Sequence, residues 1–165
     1  MNANEVLANR AAEILGDRRG TYARVHPNDH VNMGQSTNDV YPTATRLAIL
    51  FVMRDLLTSA RDLSKALQLK SRAFRTIVKT GRTHLQDAVP ITLGQEFGGY
   101  AANVLHAAVE LERTAEQLHE LNLGATAVGT GLNAGDDYTR ASIGNLRRYT
   151  KLPVRAATNH FRVTQ

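Results

Sequence analysis

The densest run of hydrogen-bonding side chains in this 165-residue chain lies between His26 and Asp39, in His-Pro-Asn-Asp-His-Val-Asn-Met-Gly-Gln-Ser-Thr-Asn-Asp. Pro27, Asn28, Asp29 and Gly34 are turn and breaker residues, so the segment reads as a loop. Ser36, Thr37 and Asn38 stand just before a long apolar-periodic run that starts near Tyr41, with Asp39 close to the helix start. A helix N-terminus there offers free backbone N–H groups and the positive end of its dipole. Two hydroxyls and an amide beside it make a small anion site for a carboxylate or a phosphate. The same residue types lead the N-cap position, so a purely structural cap is the commoner reading of this stretch taken alone.

A second polar loop reads Thr80-Gly81-Arg82-Thr83-His84-Leu85-Gln86-Asp87-Ala88-Val89-Pro90, and its candidates for chemistry are Thr83 and His84. Histidine titrates near neutrality and can exchange a proton or hydrogen-bond an amine or a carboxylate. A single loop histidine is usually structural or solvated; the repetition of a Gly-bearing polar loop with Thr or Ser beside a polar head raises its standing. His26 and His30 are four apart, a metal-ligand spacing only on a helix, and Pro27 with Asn28 and Asp29 argues for a turn instead. Gly129-Thr130-Gly131 lacks the surrounding βαβ unit of a dinucleotide site and reads as a turn.

These loops need rigid elements to hold them. Hydrophobic residues make up 42% of the chain and aromatics only 5%, with no Trp, which suits helix-on-helix packing by Leu, Ala and Val. The absence of Cys excludes disulfides, thiolate nucleophiles and Cys-based zinc sites. The formal charge of +5 comes from Lys and Arg mixed with Asp and Glu, without the dense basic block of a nucleic-acid binder. No apolar run reaches membrane-spanning length and the first residues lack a secretory pattern, so a cytoplasmic location is expected.

Helical spacing predicts a short amphipathic helix over residues 2–15, with Val6, Leu7, Ala11, Ile14 and Leu15 on its apolar side and Gly16 at its end. A helix longer than the usual globular range is expected from about Tyr41 to Phe74, with Phe51, Leu56, Leu63 and Leu67 on one side and Pro42 in its first turn. Residues 75–91 break the pattern as a loop, with Thr76-Ile77-Val78 as a short extended piece. A second long helix carries Phe97, Ala101, Val104, Ala108, Leu111, Ala115 and Leu118, where small Ala residues let neighbours approach closely. A Gly-rich loop over 123–135 and a shorter helix near 137–149 follow. The fold class is therefore all-α, an elongated long-helix bundle whose seams need further helices, supplied by other copies of the chain.

The three motifs His-Pro-Asn-Asp-His-Val-Asn with Gln-Ser-Thr-Asn-Asp, Gly-Arg-Thr-His-Leu-Gln-Asp-Ala-Val-Pro, and Gly-Thr-Gly-Leu-Asn together resemble the aspartase and class II fumarase family, in the family's order and over essentially the whole chain. The resemblance implies homotetramers built on a core of long helices that cleave or form a bond beta to a carboxylate and release fumarate, with no metal or organic cofactor. It implies that Ser36 and Thr37 bind a carboxylate of a small dicarboxylate substrate and that Asn38 contacts the group at the alpha carbon. Thr83 and His84 match the residues that hold the departing amine or water. His26, Asn28 and Asp29 match a neighbouring second anion site. The family's catalytic Ser on a Gly-Ser-Ser loop, with the Lys and Asn that follow it, has no counterpart here. The chain therefore looks like an internal piece of a longer enzyme, residues 1–38 ending its N-terminal lyase domain and residues 39–165 opening its central helical domain. Ser36-Thr37-Asn38 and His84-Leu85-Gln86 are more similar to aspartases than to fumarases, which points to L-aspartate over malate.

Overall fold

The long apolar-periodic run forms one helix, α2, over Thr37–Ala73, and α1 precedes it at Asn2–Ile14. In the computed structural model, which describes residues 1–164, a hairpin of β1 (Val78–Thr83) and β2 (Gln86–Thr92) leads into α3 (Leu93–Ala115). A single 3-10 turn then gives way to β3 (Glu120–Leu121), α4 (Asp136–Thr150), β4 (Arg155–Ala156) and α5 (His160–Thr164). The chain divides into two compact units: Met1–Leu47 with the segment from His119 onward, and Ala48–Leu118.

In the first unit, α1 stops because Gly16 adopts a left-handed φ of +80°. Its N–H then donates to the Glu13 carbonyl at 3.0 Å and the Asp17 N–H to the Ala12 carbonyl at 2.8 Å, a Schellman pair that satisfies two terminal carbonyls. The helix buries Ala8 and Ala12 and leaves Val6, Leu7 and Ile14 exposed, so its expected apolar side is not the one this unit covers. Pro42 lies inside α2, not in the first turn, because the helix starts at Thr37. A proline has no N–H to give the carbonyl four residues earlier. That carbonyl belongs to Asn38, and the buried Asn122 side chain replaces the missing donor from 3.0 Å. The Thr43 hydroxyl in turn donates to Asn122 Oδ1 at 3.4 Å.

The same unit is closed by β3 and β4, which pair in parallel through Glu120 with Arg155 and Leu121 with Ala156. Glu120 fixes this join: its carboxylate pairs with Arg162 and accepts the Thr158 N–H at 3.3 Å. The Arg162 guanidinium first, then the Thr158 N–H and the nearby Arg155 charge, hold the Glu120 carboxyl below the ordinary carboxylate value.

In the second unit, α2 and α3 run antiparallel along small residues. The Ser71 hydroxyl donates to the Gly94 carbonyl at 2.7 Å and Ser64 to the Ala101 carbonyl at 2.8 Å. The same register carries the buried Leu57 to Ala108 and the buried Leu50 to Ala115, a seven-residue repeat on both helices. The small residues of α3 do let the neighbouring backbone in: a Cβ at Gly94 would stand 2.5 Å from the Ser71 carbonyl oxygen and 2.7 Å from Arg75 Cα. On α2 the packed stripe is one residue round from the one its large apolar side chains suggest, with Phe51, Leu56 and Leu63 about half exposed.

Residues 75–91 are not a plain loop. β1 and β2 pair antiparallel from Val78 with Thr92 to Thr83 with Gln86, with a bulge between Thr80 and Arg82 at Gly81. A Cβ on Gly81 would meet the Val89 carbonyl oxygen at 2.7 Å, so the strands close only around glycine. Thr92 then caps α3 by a reciprocal box with Gln95, with bonds of 3.1 and 2.8 Å.

Two outcomes follow. Gly94→Ala forces the Ser71–Gly94 crossing apart and should cost about 1–3 kcal/mol, the range for overpacking, read from the urea midpoint. Because the Glu120 carboxyl is held low in the folded state, its contribution is present above its unfolded value and is lost as pH falls through the lowered one. The native chain should therefore have the higher urea midpoint at neutral pH, and its lead over Glu120→Gln should shrink as pH falls below about 4.5.

Candidate functional site

Ser36 is the N-cap of α2. Its hydroxyl accepts the Asn38 N–H at 3.2 Å, and the Asp39 carboxylate reaches back to the Ser36 N–H at 3.0 Å. The structural reading of this stretch thus holds for Ser36, whose O–H proton is still available to a ligand. Thr37 and Asn38 are exposed on the first turn. The Asn38 side chain donates from Nδ2 to the Ala127 carbonyl at 2.8 Å. That contact settles which end of the amide is which, because a carbonyl oxygen accepts only from a donor, and it leaves Oδ1 as the acceptor offered outward.

Thr37 and Asn38 line a groove of about 340 Å³ with Tyr41, Pro42, Ala127, Val128 and Thr164. The Gly-rich segment that forms its far wall is shaped by left-handed residues. Gly124 at φ +92° and Gly129 at φ +103° have Thr139 and Phe161 where a Cβ would be, so neither accepts a side chain. Asp39, wholly buried, accepts the Gly124 N–H at 3.1 Å and the Thr126 N–H at 2.9 Å on its second oxygen. Burial pushes the neighbouring Tyr138 phenol above its ordinary value, the Asp39 carboxylate adding to the push and a Ser142 hydrogen bond opposing it.

His26, Asn28 and Asp29 come together in one π-helical turn, Pro27–Val31. His26 Nδ1 accepts the N–H groups of Asn28 at 3.3 Å and Asp29 at 3.2 Å, while His30 Nδ1 accepts the His26 N–H at 2.8 Å. Both rings thus spend Nδ1 on the backbone and keep Nε2 for other partners, and the Asp29 carboxylate stands 3.3 Å from His26 Nδ1. Among the described residues no group of three or more His, Asp or Glu side chains is placed to share a metal ion.

Thr83 and His84 belong to the second unit, at the tip of the hairpin, and both are exposed. The two turn residues His84 and Leu85 have φ of 51° and 63°, the left-handed pair of a type I′ turn. Asn-Gly is the usual occupant; a histidine and a leucine there are strained, and Leu85 is 98% exposed. A cavity of about 600 Å³ in that unit, lined in part by Arg61, Lys65, Gln68 and Arg72, holds none of the residues singled out for chemistry.

Sequence reasoning missed the supports of the first loop. Asp39 carries a readable signal, an acidic residue three positions after a Ser cap. Asn122 and Ala127 carry none, since one acts through a buried amide and the other through a backbone carbonyl.

A family model described as Lyase matches residues 1–165. A class II fumarate hydratase of Nitrosomonas europaea is 53% identical over 162 residues, which cover 98% of this chain and 35% of that protein. An aspartate ammonia-lyase of a Bacillus species is 45% identical over 165 residues, covering all of this chain and 35% of the relative. The crystal structure of a fumarate lyase:delta crystallin from Brucella melitensis, bound to cobalt, superposes with a TM-score of 0.90 at 49% identity, over 99% of this chain and 36% of that one. The chain spans about a third of the length of these relatives. With the whole chain matched in sequence and in backbone, helices and polar loops alike, it belongs to the lyase family that includes the class II fumarases and the aspartate ammonia-lyases.

Proposed function

We propose that the chain is part of an aspartate ammonia-lyase that converts L-aspartate to fumarate and ammonia. The observation that carries this reading is the groove at the start of α2, where Thr37 and Asn38 meet on one wall with the Asn38 side-chain oxygen Oδ1 left as an acceptor. Removing a proton beside a carboxylate doubles the charge on that group, giving an aci-carboxylate, and fixed donors that do not titrate stabilise it. Ser36 and Thr37 hydroxyls at a helix N-terminus are such donors, while Asn38 accepts from the ammonium at the alpha carbon. In the assembled enzyme Thr83 and His84 are proposed to hold the departing ammonium, His84 accepting a hydrogen bond from it. The proton-abstracting base is not among these residues, nor anywhere in this chain, so the longer enzyme supplies it.

In this reading residues 1–38 close an N-terminal domain, residues 39–165 open the central helical one, and the enzyme is a homotetramer. The half-exposed Phe51, Leu56 and Leu63 of α2 and Leu105 and Val109 of α3 give such an assembly apolar surface to bury. The His84 hairpin, exposed on nearly all its residues, is an element that gains stability from a partner's cover. The His26, Asn28 and Asp29 turn is proposed as the second anion site, with ring Nε2 atoms as donors.

Malate is the second substrate to test, because the fumarase of Nitrosomonas europaea shares more of its residues with the chain than the Bacillus aspartate ammonia-lyase does. Fumarate formation by the full-length enzyme, followed with aspartate and with malate, separates them, and turnover of malate alone would sink the aspartase reading. A helical assembly module without catalysis is the reading of another class. Thr37 has no cap bond to lose, so Thr37→Val should leave the melting temperature within a degree or two while cutting turnover; unchanged turnover would favour the module. His84→Ala should reduce kcat/KM for aspartate roughly ten- to 150-fold, since a hydrogen bond to a charged group is worth about 1.5–3 kcal/mol. A fall of several further orders of magnitude with KM unchanged would instead make His84 the base.

A further inference from the structure

We infer that Asp39 is a positioning residue for the substrate groove: it fixes the segment 124–126 so that the Ala127 carbonyl holds the Asn38 amide with Oδ1 free. The inference rests on the proposed lyase reading for its kinetic part and on geometry alone for the rest. Asp39 is completely buried, yet no cationic side chain pairs with its carboxylate among the described residues. Three backbone N–H groups from two separate stretches satisfy it instead: Ser36 on one oxygen, Gly124 and Thr126 on the other. A buried carboxylate without a counter-ion is expensive, and a structural tie alone could be made by an amide or a hydroxyl. What the carboxylate does that an asparagine cannot is accept on both oxygens at once.

Thr126 is followed directly by Ala127, whose carbonyl accepts from Asn38 Nδ2 at 2.8 Å. Asn38 is the residue directly before Asp39, and its own backbone carbonyl is taken by Asn122. Asn38 is thus held at both its side chain and its main chain by one segment, and that segment is held by the residue next to it. If the segment relaxes, the amide can turn over and present Nδ2, a donor that repels an ammonium, where Oδ1 had been.

The test uses the full-length enzyme with Asp39→Asn, and Ser64→Ala as the control, since the latter loses a buried hydrogen bond far along the chain. Below the melting range of both, Asp39→Asn should raise KM for the wild type's substrate at least tenfold and speed backbone hydrogen exchange over 122–131, while Ser64→Ala leaves both within twofold. Should Asp39→Asn fail to fold, Gly129→Ala displaces the same segment through Phe161 without touching Asp39, and it should raise KM in the same way. An unchanged KM, or an equal rise in Ser64→Ala, would overturn the inference while leaving the lyase reading intact, because the wild type would still turn over. If the wild type itself shows no lyase activity, the lyase reading fails. Exchange over 122–131 then decides the geometry alone: faster exchange in the Asp39 variant upholds it, and unchanged exchange refutes it.

Discussion

A helix that begins with a polar capping turn and contains a proline soon afterwards leaves its first carbonyls and N–H groups to be satisfied from outside. That constraint organises the first unit. Pro42 cannot serve the Asn38 carbonyl, so Asn122 does, and the capping carboxylate of Asp39 is recruited to hold the segment that follows Asn122. The polar cluster is fully used because an unused buried donor or acceptor costs about 1–3 kcal/mol. The groove next to it inherits this order at Asn38, whose main-chain carbonyl and side-chain Nδ2 are both held by the segment that follows Leu121.

The second unit solves a different problem with fewer means. Gly94, Ala101, Ala108 and Ala115 offer almost no apolar volume, so the two helices approach until Ser64 and Ser71 reach backbone carbonyls of the partner helix. Close approach substitutes dispersion between backbones for large side chains. Other large side chains, Phe51, Leu56 and Leu63 of α2 and Leu105 and Val109 of α3 among them, are left about half exposed, which is why the unit's surface carries so much apolar area.

Much of this was legible in the residues. The all-α class, the two long helices and their small-residue contact could be read from three- and four-residue spacing, and the family from three motifs. The hairpin could not, because Thr80-Gly81-Arg82-Thr83 has no alternation of apolar and polar positions: nearly every one of its side chains is exposed, so no buried face leaves its mark. The packed stripe of α2 was hidden for another reason. Ser64 and Ser71 look like surface residues until a neighbouring carbonyl makes them the better fit, whereas Leu56 and Leu63 look like core residues and are half exposed in this chain. Ser36 was read both as a cap and as a ligand group, and the two uses fit one hydroxyl, which accepts with oxygen and donates with hydrogen.

The first unit is assembled from two stretches far apart in the chain, joined by bonds such as that from Gly124 to Asp39, which span 85 residues. Such contacts reward the chain only after the intervening segment has been ordered, and closing a loop of that length is an entropic cost met before any gain. The antiparallel pair of α2 and α3 shortens the loop, because its register returns Ala115 to the level of Leu50. During synthesis the helical pair can therefore form first, while the polar groove must wait until residues beyond Thr126 have left the ribosome. The order in which the chain matures is thus built into it: the helical pair and its hairpin early, the groove at the start of α2 last.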